Sequence, residues 1–240
     1  MSLEWVAGAT VIAAAGFVMG LAGFGVALVS LAFLPFLMAP VTAVVLVTLY
    51  ALVFAGVVTA QLRREVVLRA IGPLLAGTVL GTPLGVWVLA TVSAGVLERL
   101  IGAVLVAVVA LEWRGMFPGP LGGRGWAFLA GALAGVLGGA VGTPGPPVIL
   151  WSAAQGWPPR TMKANIQAFF AVNQAVILAG YWWAGLLTPD VWRLAAVFAV
   201  PAAAGLLAGM TLFERVDPAR FRRIVFVLLL FSGLALLGHR

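Results

Sequence analysis

Long apolar segments fill most of the chain, and each is bounded by charged residues or by proline and glycine. In the first half they cover residues 5–21, 24–38, 41–60, 70–91 and 96–111, and in the second half 126–141, 146–155, 161–184, 191–213 and 221–237. About 20 apolar residues form a helix that crosses a hydrocarbon core about 30 Å thick. The pattern therefore predicts an all-α polytopic membrane protein. Segments 24–38 and 146–155 are too short for a comfortable crossing, which predicts half-helices or tilted short spans.

Composition agrees with this pattern and restricts the possible chemistry. Hydrophobic residues make up 63% of the chain and charged residues 9%, whereas a soluble domain carries about 25% charged residues. The absence of cysteine excludes disulfides and thiolate metal sites. The net charge of +7 comes largely from arginines at segment ends, which indicates topology and anionic headgroups rather than a nucleic-acid partner. We predict no cofactor and no metal, with the lipid bilayer as a partner and a homo-oligomer as a possibility.

The two halves of the chain resemble one another. At an offset of 119, Gly16, Gly20 and Gly23 fall on Gly135, Gly139 and Gly142, and at an offset of 124, Gly81 and Gly85 fall on Gly205 and Gly209. This spacing predicts a duplication with a first transmembrane repeat at residues 1–111 and a second at 126–240. The glycine- and proline-rich stretch 112–125 is then the linker between them.

Charge predicts that the two repeats are inverted. The first half has a basic loop with Arg63, Arg64 and Arg69, while its second-half counterpart has only Arg193 beside Asp190. The other basic loops belong to the second half, and their first-half counterparts have no net positive charge. Because cytoplasmic loops collect lysine and arginine, equivalent loops lie on opposite sides of the membrane. Five segments per half satisfy this and place both termini outside, as in the inverted repeats of many secondary transporters.

A sequence of glycines and prolines, GTPGPP at residues 142–147, interrupts this membrane pattern. Unwound backbone at membrane depth is tolerated only where protein or an aqueous cavity surrounds it. We therefore predict that one helix ends near Val141 and another starts near Pro147, with N–H groups and a positive dipole end suited to an anion. The equivalent GLAGFG at residues 20–25 is predicted to form a second break near the midplane. Close helix packing is the alternative reason for the glycines, above all at Gly16, Gly20, Gly81 and Gly85.

The next helix carries a polar stripe. Arg160, Lys163, Gln167, Phe170 and Gln174 recur at steps of three and four, and Asn173 lies beside Gln174. Such a stripe should face protein or water, although Arg160 and Lys163 could anchor the cytoplasmic end and the amides could join helices. The predicted substrate-binding residues are Gly20, Gly23, Gly25, Gly142, Thr143, Gly145, Lys163, Gln167, Asn173 and Gln174.

Catalytic chemistry has little support in this sequence. All seven acidic residues fall at segment ends or in loops, and no serine or cysteine has a histidine partner. An integral-membrane enzyme would need such a cluster at one interface. A membrane subunit that does not transport and packs against a partner is the other alternative to a transporter.

The motif GxxGGxxGTPGPPVILW at residues 135–151, the paired element at 16–25 and GLLAGMTLFERVDPARFRR at 205–223 resemble the sulfite exporter TauE/SafE family. The resemblance covers essentially the whole chain, although Val26 and Ala27 stand where a glycine run is expected. It implies a multi-pass transporter of the bacterial cytoplasmic membrane that moves sulfite or organosulfonates, usually outward. The substrate would then be a small sulfur-containing anion.

Overall fold

Helices joined by short connections make up the part of the chain that the structure describes. A computed structural model describes residues 3–22, 25–113, 123–212 and 218–238. The helices are α1 (Leu3–Ala22), α2 (Val26–Phe33), α3 (Pro40–Gln61), α4 (Leu68–Thr91), α5 (Ala94–Trp113), α6 (Arg124–Val141), α7 (Gly145–Ala153), α8 (Pro159–Trp183), α9 (Pro189–Leu212) and α10 (Pro218–Gly238), with short 3-10 turns at Leu34–Phe36 and Arg63–Glu65. Each predicted apolar segment coincides closely with one of these helices, so the all-α class is confirmed.

Five of the described helices are long and apolar enough to cross a membrane. They are Pro40–Gln61, Leu68–Thr91, Ala94–Leu111, Arg124–Val141 and Pro189–Leu212, and shorter apolar stretches lie at Trp5–Leu21, Val26–Phe36 and Val225–Gly238. Helix α8 has 25 residues, but its polar stripe makes it less apolar than these five. Helices α2 and α7 have 8 and 9 residues. At 1.5 Å per residue each spans less than about 14 Å, so neither crosses a bilayer alone.

The chain divides into two compact units, and each unit contains helices from both halves of the sequence. The first unit is Met1–Tyr50, Val92–Arg114 and Leu187–Arg240, and the second is Ala51–Thr91 and Gly115–Leu186. In the first unit α9 packs along α1 and α10 packs on α5, while in the second unit α4 packs along α6 and α8. The repeat boundaries predicted from the sequence stay a prediction, and residues 114–122 of the predicted linker lie outside the described residues.

Glycines hold α4 and α6 in direct backbone contact within the second unit. A Cβ added to Gly81 would lie 2.1 Å from the carbonyl oxygen of Ala132, and one on Gly131 would lie 2.0 Å from that of Leu74. Gly85 meets Val136 further along the same helices, so α4 and α6 run parallel. No side chain larger than hydrogen fits at these crossings, which is the small-residue packing typical of membrane helices.

The same kind of contact joins α1 and α9 within the first unit. A Cβ on Gly16 would lie 2.7 Å from the carbonyl oxygen of Ala202, and one on Gly20 would lie 2.4 Å from that of Leu206. In the reverse direction, a Cβ on Gly205 would lie 2.0 Å from the carbonyl oxygen of Ala13. Close packing is therefore the role that the structure gives to Gly16, Gly20, Gly81 and Gly85, as the alternative interpretation of their spacing expected.

Candidate functional site

The break after α6 is a tight turn that only glycine adopts readily. Gly142 has φ +67°, in the left-handed region where a Cβ would clash with the backbone. Its N–H donates to the carbonyl of Gly138 at 2.9 Å, and the next N–H, of Thr143, reaches back to Leu137 at 3.3 Å. The bond from Gly142 to Gly138 is the one that closes a helix capped by a left-handed glycine. It ends α6 at Val141, and α7 begins three residues after the glycine, at Gly145.

The prolines around this turn remove most of the N–H groups that a helix start normally offers. Pro144, Pro146 and Pro147 have none, and the N–H groups of Gly142 and Thr143 are already engaged. Gly145 is left as the one residue of the break whose N–H makes no hydrogen bond with the described residues. A ligand anion at the start of α7 would therefore meet one backbone donor and the positive end of the helix dipole.

The middle of helix α8 lies beside the break. A Cβ on Gly138 would lie 3.1 Å from Cβ of Pro144 and 3.5 Å from Oδ1 of Asn173. A Cβ on Gly145 would lie 3.8 Å from Cζ of Phe170, one helical turn away from Asn173. Asn173 is about 21 Å along the axis from the start of α8, which is 25 residues long. The structure thus brings together the break and the middle of the polar stripe.

Buried polar side chains lie on the break and along α8. Thr143, Gln167, Asn173 and Gln174 are all at most 3% exposed. Asn173 donates through Nδ2 to the hydroxyl of Thr78 on α4, whereas Oδ1 of Asn173, Oγ1 of Thr143 and Oε1 of Gln174 have no hydrogen-bond partner. Because a buried polar atom without a partner costs about 1 to 3 kcal/mol, such a cluster indicates a place where a ligand, ion or water completes the bonding.

Lys163 lies about one helical turn before Gln167 and nearly three turns before Asn173 on α8, and its side chain is exposed. Beside it, Arg160 approaches Glu65 at 3.5 Å, and Oδ1 of Asn165 accepts the N–H of Val67 at 2.7 Å. These bonds tie the basic loop before α4 to the first turns of α8. The role of Lys163 in substrate binding stays a prediction.

The predicted first-half residues belong to the other compact unit. Gly20 lies at the crossing of α1 and α9, while Gly25, with φ +99°, precedes α2 and accepts the N–H of Val29 at 3.0 Å. Gly23 lies outside the described residues. Their participation in substrate binding stays a prediction. Within the described ranges, no group of three or more His, Cys, Asp or Glu side chains could hold a metal ion.

Tyr181 is a residue of this region that the sequence analysis missed. Its hydroxyl, buried on α8, donates to the carbonyl oxygens of Gly139 at 2.9 Å and Gly138 at 3.2 Å. Because the N–H of Thr143 is diverted to Leu137, Gly139 has lost its helical donor, and the tyrosine replaces it. A signal was present, since continuing the polar stripe from Gln174 in steps of four and three leads to Tyr181, in a chain with only two tyrosines.

Replacing Tyr181 with phenylalanine should loosen the end of α6 next to the break. We expect a loss of about 1 kcal/mol in the free energy of unfolding, or about 3 °C in thermal midpoint, together with slower anion transport. Tyr50→Phe is a matched control, because the Tyr50 hydroxyl donates to the carbonyl of Ala195 at 2.7 Å, far along the chain from the break. Equal transport by both variants at equal stability loss would contradict a role for Tyr181 at the break.

Comparison with known proteins shows a family. The family model described as Sulfite exporter TauE/SafE matches residues 8–236. A probable inner membrane transporter protein TsaS from Comamonas testosteroni is 29% identical over 184 residues, covering 73% of this chain and 74% of that protein. A probable sulfite/organosulfonate exporter TauE from Cupriavidus necator is 29% identical over 178 residues, covering 70% and 68%. No solved structure shows a significant match. With its apolar helices and nearly complete match, the chain is a multi-pass membrane protein that belongs to the TauE/SafE sulfite exporter family.

Proposed function

We propose that the protein is a secondary transporter that exports small sulfur-containing anions, such as sulfite or organosulfonates, across the cytoplasmic membrane by alternating access. The observation that carries this proposal is the set of buried polar atoms without partners at a helix break in an otherwise apolar chain. Membrane proteins keep irregular backbone and unpaired polar groups at such depth where a substrate pathway runs. The relative from Cupriavidus necator is described as a sulfite/organosulfonate exporter, which supports the substrate class.

The anion is expected at the start of α7. A sulfonate or sulfite presents several oxygens, which can accept hydrogen bonds from the Gly145 N–H, the Thr143 hydroxyl and the NH2 group of Gln174. The NH2 group of Asn173 donates to Thr78, so Asn173 leaves its oxygen toward the break and is not a donor to the anion. An inside-negative potential contributes about 2.3 kcal/mol per charge per 100 mV to outward movement of an anion, so export does not require a buried carboxylate as proton carrier.

Glycine contacts support the inverted-repeat architecture of this proposal. Gly16 and Gly20 of the first half pack on α9 near Gly205 and Gly209, all within one unit. Their repeat equivalents, Gly135 and Gly139, pack on α4 near Gly81 and Gly85 within the other unit. Each contact therefore joins the first helix of one repeat to the fourth helix of the other repeat, as a duplicated and interlocked fold requires. In this proposal the basic loops lie inside and both termini outside, as the charge bias of the loops favours.

Binding of the anion by the purified protein tests the proposal without any partner subunit. Sulfite or a short sulfonate such as sulfoacetate should raise the thermal midpoint in a saturable way, because a ligand that binds only the folded state stabilises it. Chloride at the same ionic strength is the control. A midpoint that responds equally to chloride and to sulfur oxyanions would contradict a sulfur-anion site.

Lys163 should affect capture of the anion and not its final binding. We expect Lys163→Ala to raise the apparent Michaelis constant for transport about threefold at low ionic strength, as for other exposed charges, with little change in maximal rate. The effect should shrink as salt screens the exposed ammonium group, and Lys163→Arg should retain normal capture. A fall in maximal rate that is independent of salt would instead place Lys163 in the translocation step.

A further inference from the structure

The break has more hydrogen-bond acceptors than donors, and the prolines are the cause. In a continuing helix each carbonyl accepts the N–H four residues ahead. For the carbonyls of Ala140, Gly142 and Thr143, the residues in that position are Pro144, Pro146 and Pro147, which have no N–H. None of these three carbonyls accepts a hydrogen bond from the described residues, nor does that of Val141. All four residues are buried.

Side-chain oxygens add to this surplus. Oγ1 of Thr143 lies on the break itself, and Oδ1 of Asn173 faces the same glycine, Gly138, as Pro144 does. Because Nδ2 of Asn173 is directed to Thr78, it is the oxygen of this amide that is left toward the break. Oε1 of Gln174 is a further oxygen without a partner on the adjacent residue. Each of the three side chains is at least 97% buried.

We propose that these oxygens bind a sodium ion at the end of α6, next to the anion site at the start of α7. The inference rests on the proposed transport function and extends it to a cation. The C-terminal end of a helix carries partial negative charge, and unwound carbonyls at half-helix ends coordinate Na⁺ in other membrane transporters. The ligands would be the carbonyls of residues 140–143, Oγ1 of Thr143 and Oδ1 of Asn173.

Charge selects a monovalent metal ion. Residues 124–183, which include α6, α7 and α8, contain no Asp or Glu, so neutral oxygens alone would face the ion. Mg²⁺ and Ca²⁺ sites rely on carboxylates to offset the cost of dehydrating a divalent cation. A proton has no place at this site, because threonine, asparagine, glutamine and carbonyl groups do not titrate near neutral pH.

The two ligands should strengthen each other. A cation at the end of α6 offsets part of the charge of an anion at Gly145, and the anion does the same in return, since coupling between two sites is reciprocal. The first-half element at residues 20–25 contains no proline and retains its N–H groups. The sequence therefore assigns the acceptor surplus to the second-half break alone.

Thermal unfolding of the purified full-length protein in detergent tests the sodium site without reference to transport. At constant ionic strength, NaCl should raise the thermal midpoint by on the order of 5 °C over choline chloride when Na⁺ is about 100 times its dissociation constant, and KCl should not. Thr143→Val, which removes Oγ1 at nearly constant volume, should raise the Na⁺ concentration for half the effect at least tenfold. Thr48→Val is the matched control, because the Thr48 hydroxyl donates to Val44 in its own helix.

A thermal midpoint that is the same in sodium, potassium and choline chloride would overturn the sodium site. Water would then be the hydrogen-bond partner of the unpaired oxygens at the break. The same holds if Thr143→Val and Thr48→Val respond equally to Na⁺. A sodium-dependent midpoint in a protein that neither binds nor transports sulfur oxyanions would leave the sodium site standing while the proposed substrate fails. A protein that transports sulfite equally well without sodium, and shows no sodium-dependent midpoint, would retain the transporter and lose this proposal.

Discussion

Replacing Gly81 with alanine is expected to lower the thermal midpoint of the protein by about 5 °C or more, or to prevent its accumulation in the membrane. The added Cβ would lie 2.1 Å from the carbonyl oxygen of Ala132 and 2.9 Å from its carbonyl carbon. Both are backbone atoms of α6 and cannot rotate away, so the two helices must separate along their contact. Overpacking of this kind costs about 1 to 3 kcal/mol, which is about 2 to 4 °C per kcal/mol in a chain of this length.

Gly72→Ala is the matched control, because Gly72 lies on the same helix and a Cβ there meets nothing within 4 Å. Alanine favours helix over glycine by about 1 kcal/mol, so this variant should be as stable as the original protein or slightly more so. Thermal unfolding of the three proteins in detergent makes the comparison. Equal midpoints for Gly81→Ala and Gly72→Ala would show that α4 and α6 are not in backbone contact.

Replacing Gly145 with leucine is expected to reduce anion transport at least about tenfold while the protein stays folded. A Cβ at this position would lie 3.5 Å from Cδ1 of Ile149 and 3.8 Å from Cζ of Phe170, which are ordinary contact distances. The rest of the leucine side chain would occupy space at the start of α7, where we propose that the anion binds. Loss of one hydrogen bond to a charged ligand costs about 1.5 to 3 kcal/mol, which corresponds to about tenfold or more in affinity.

The variant Gly145→Ala is the control that separates the effect of side-chain size on transport from the effect of losing a glycine in the backbone. Its single methyl group fits at these distances, and Gly145 does not have a positive φ, so both fold and most of the transport should remain. Gly142 is a less suitable position, because its φ of +67° strains any substituted residue. Flux measured in proteoliposomes, with thermal midpoints measured on the same preparations, makes the comparison. Full transport by a stable Gly145→Leu protein would remove the break from the substrate pathway.

The sequence predicted those features of the fold that depend on neighbouring residues along the chain. Apolar periodicity predicted the helices, and GTPGPP predicted the end of α6 at Val141, because proline and glycine act on their own backbone. The sequence did not predict which helix packs against each glycine-rich helix face. Spacing shows that Gly81 and Gly85 share a small face, but the exchange that puts α4 against α6 in one unit, and α9 against α1 in the other, depends on contacts far apart in sequence.

The site was predicted in part for the same reason. The stripe on α8 identified Gln167, Asn173 and Gln174, which are buried, because helical spacing alone places them on one side. The stripe did not show which of its side chains are buried in the protein. Lys163, near the start of α8, is exposed. A helix start normally offers several free N–H groups to an anion, whereas at this break the turn engages two of them and the prolines remove three more. The hydroxyl of Tyr181 was missed because its partners are backbone carbonyls, which no side-chain motif indicates.

Flux of labelled sulfite and sulfoacetate into liposomes that contain only the purified protein tests the central claim most directly. The measurement is made with and without an imposed membrane potential, and as counterflow against unlabelled anion. We predict saturable flux that increases with a potential favouring anion entry and that falls in Gly145→Leu but not in Gly145→Ala. Absence of saturable flux for any sulfur oxyanion, with a protein shown to be folded, would contradict the account and favour a membrane subunit that needs a partner.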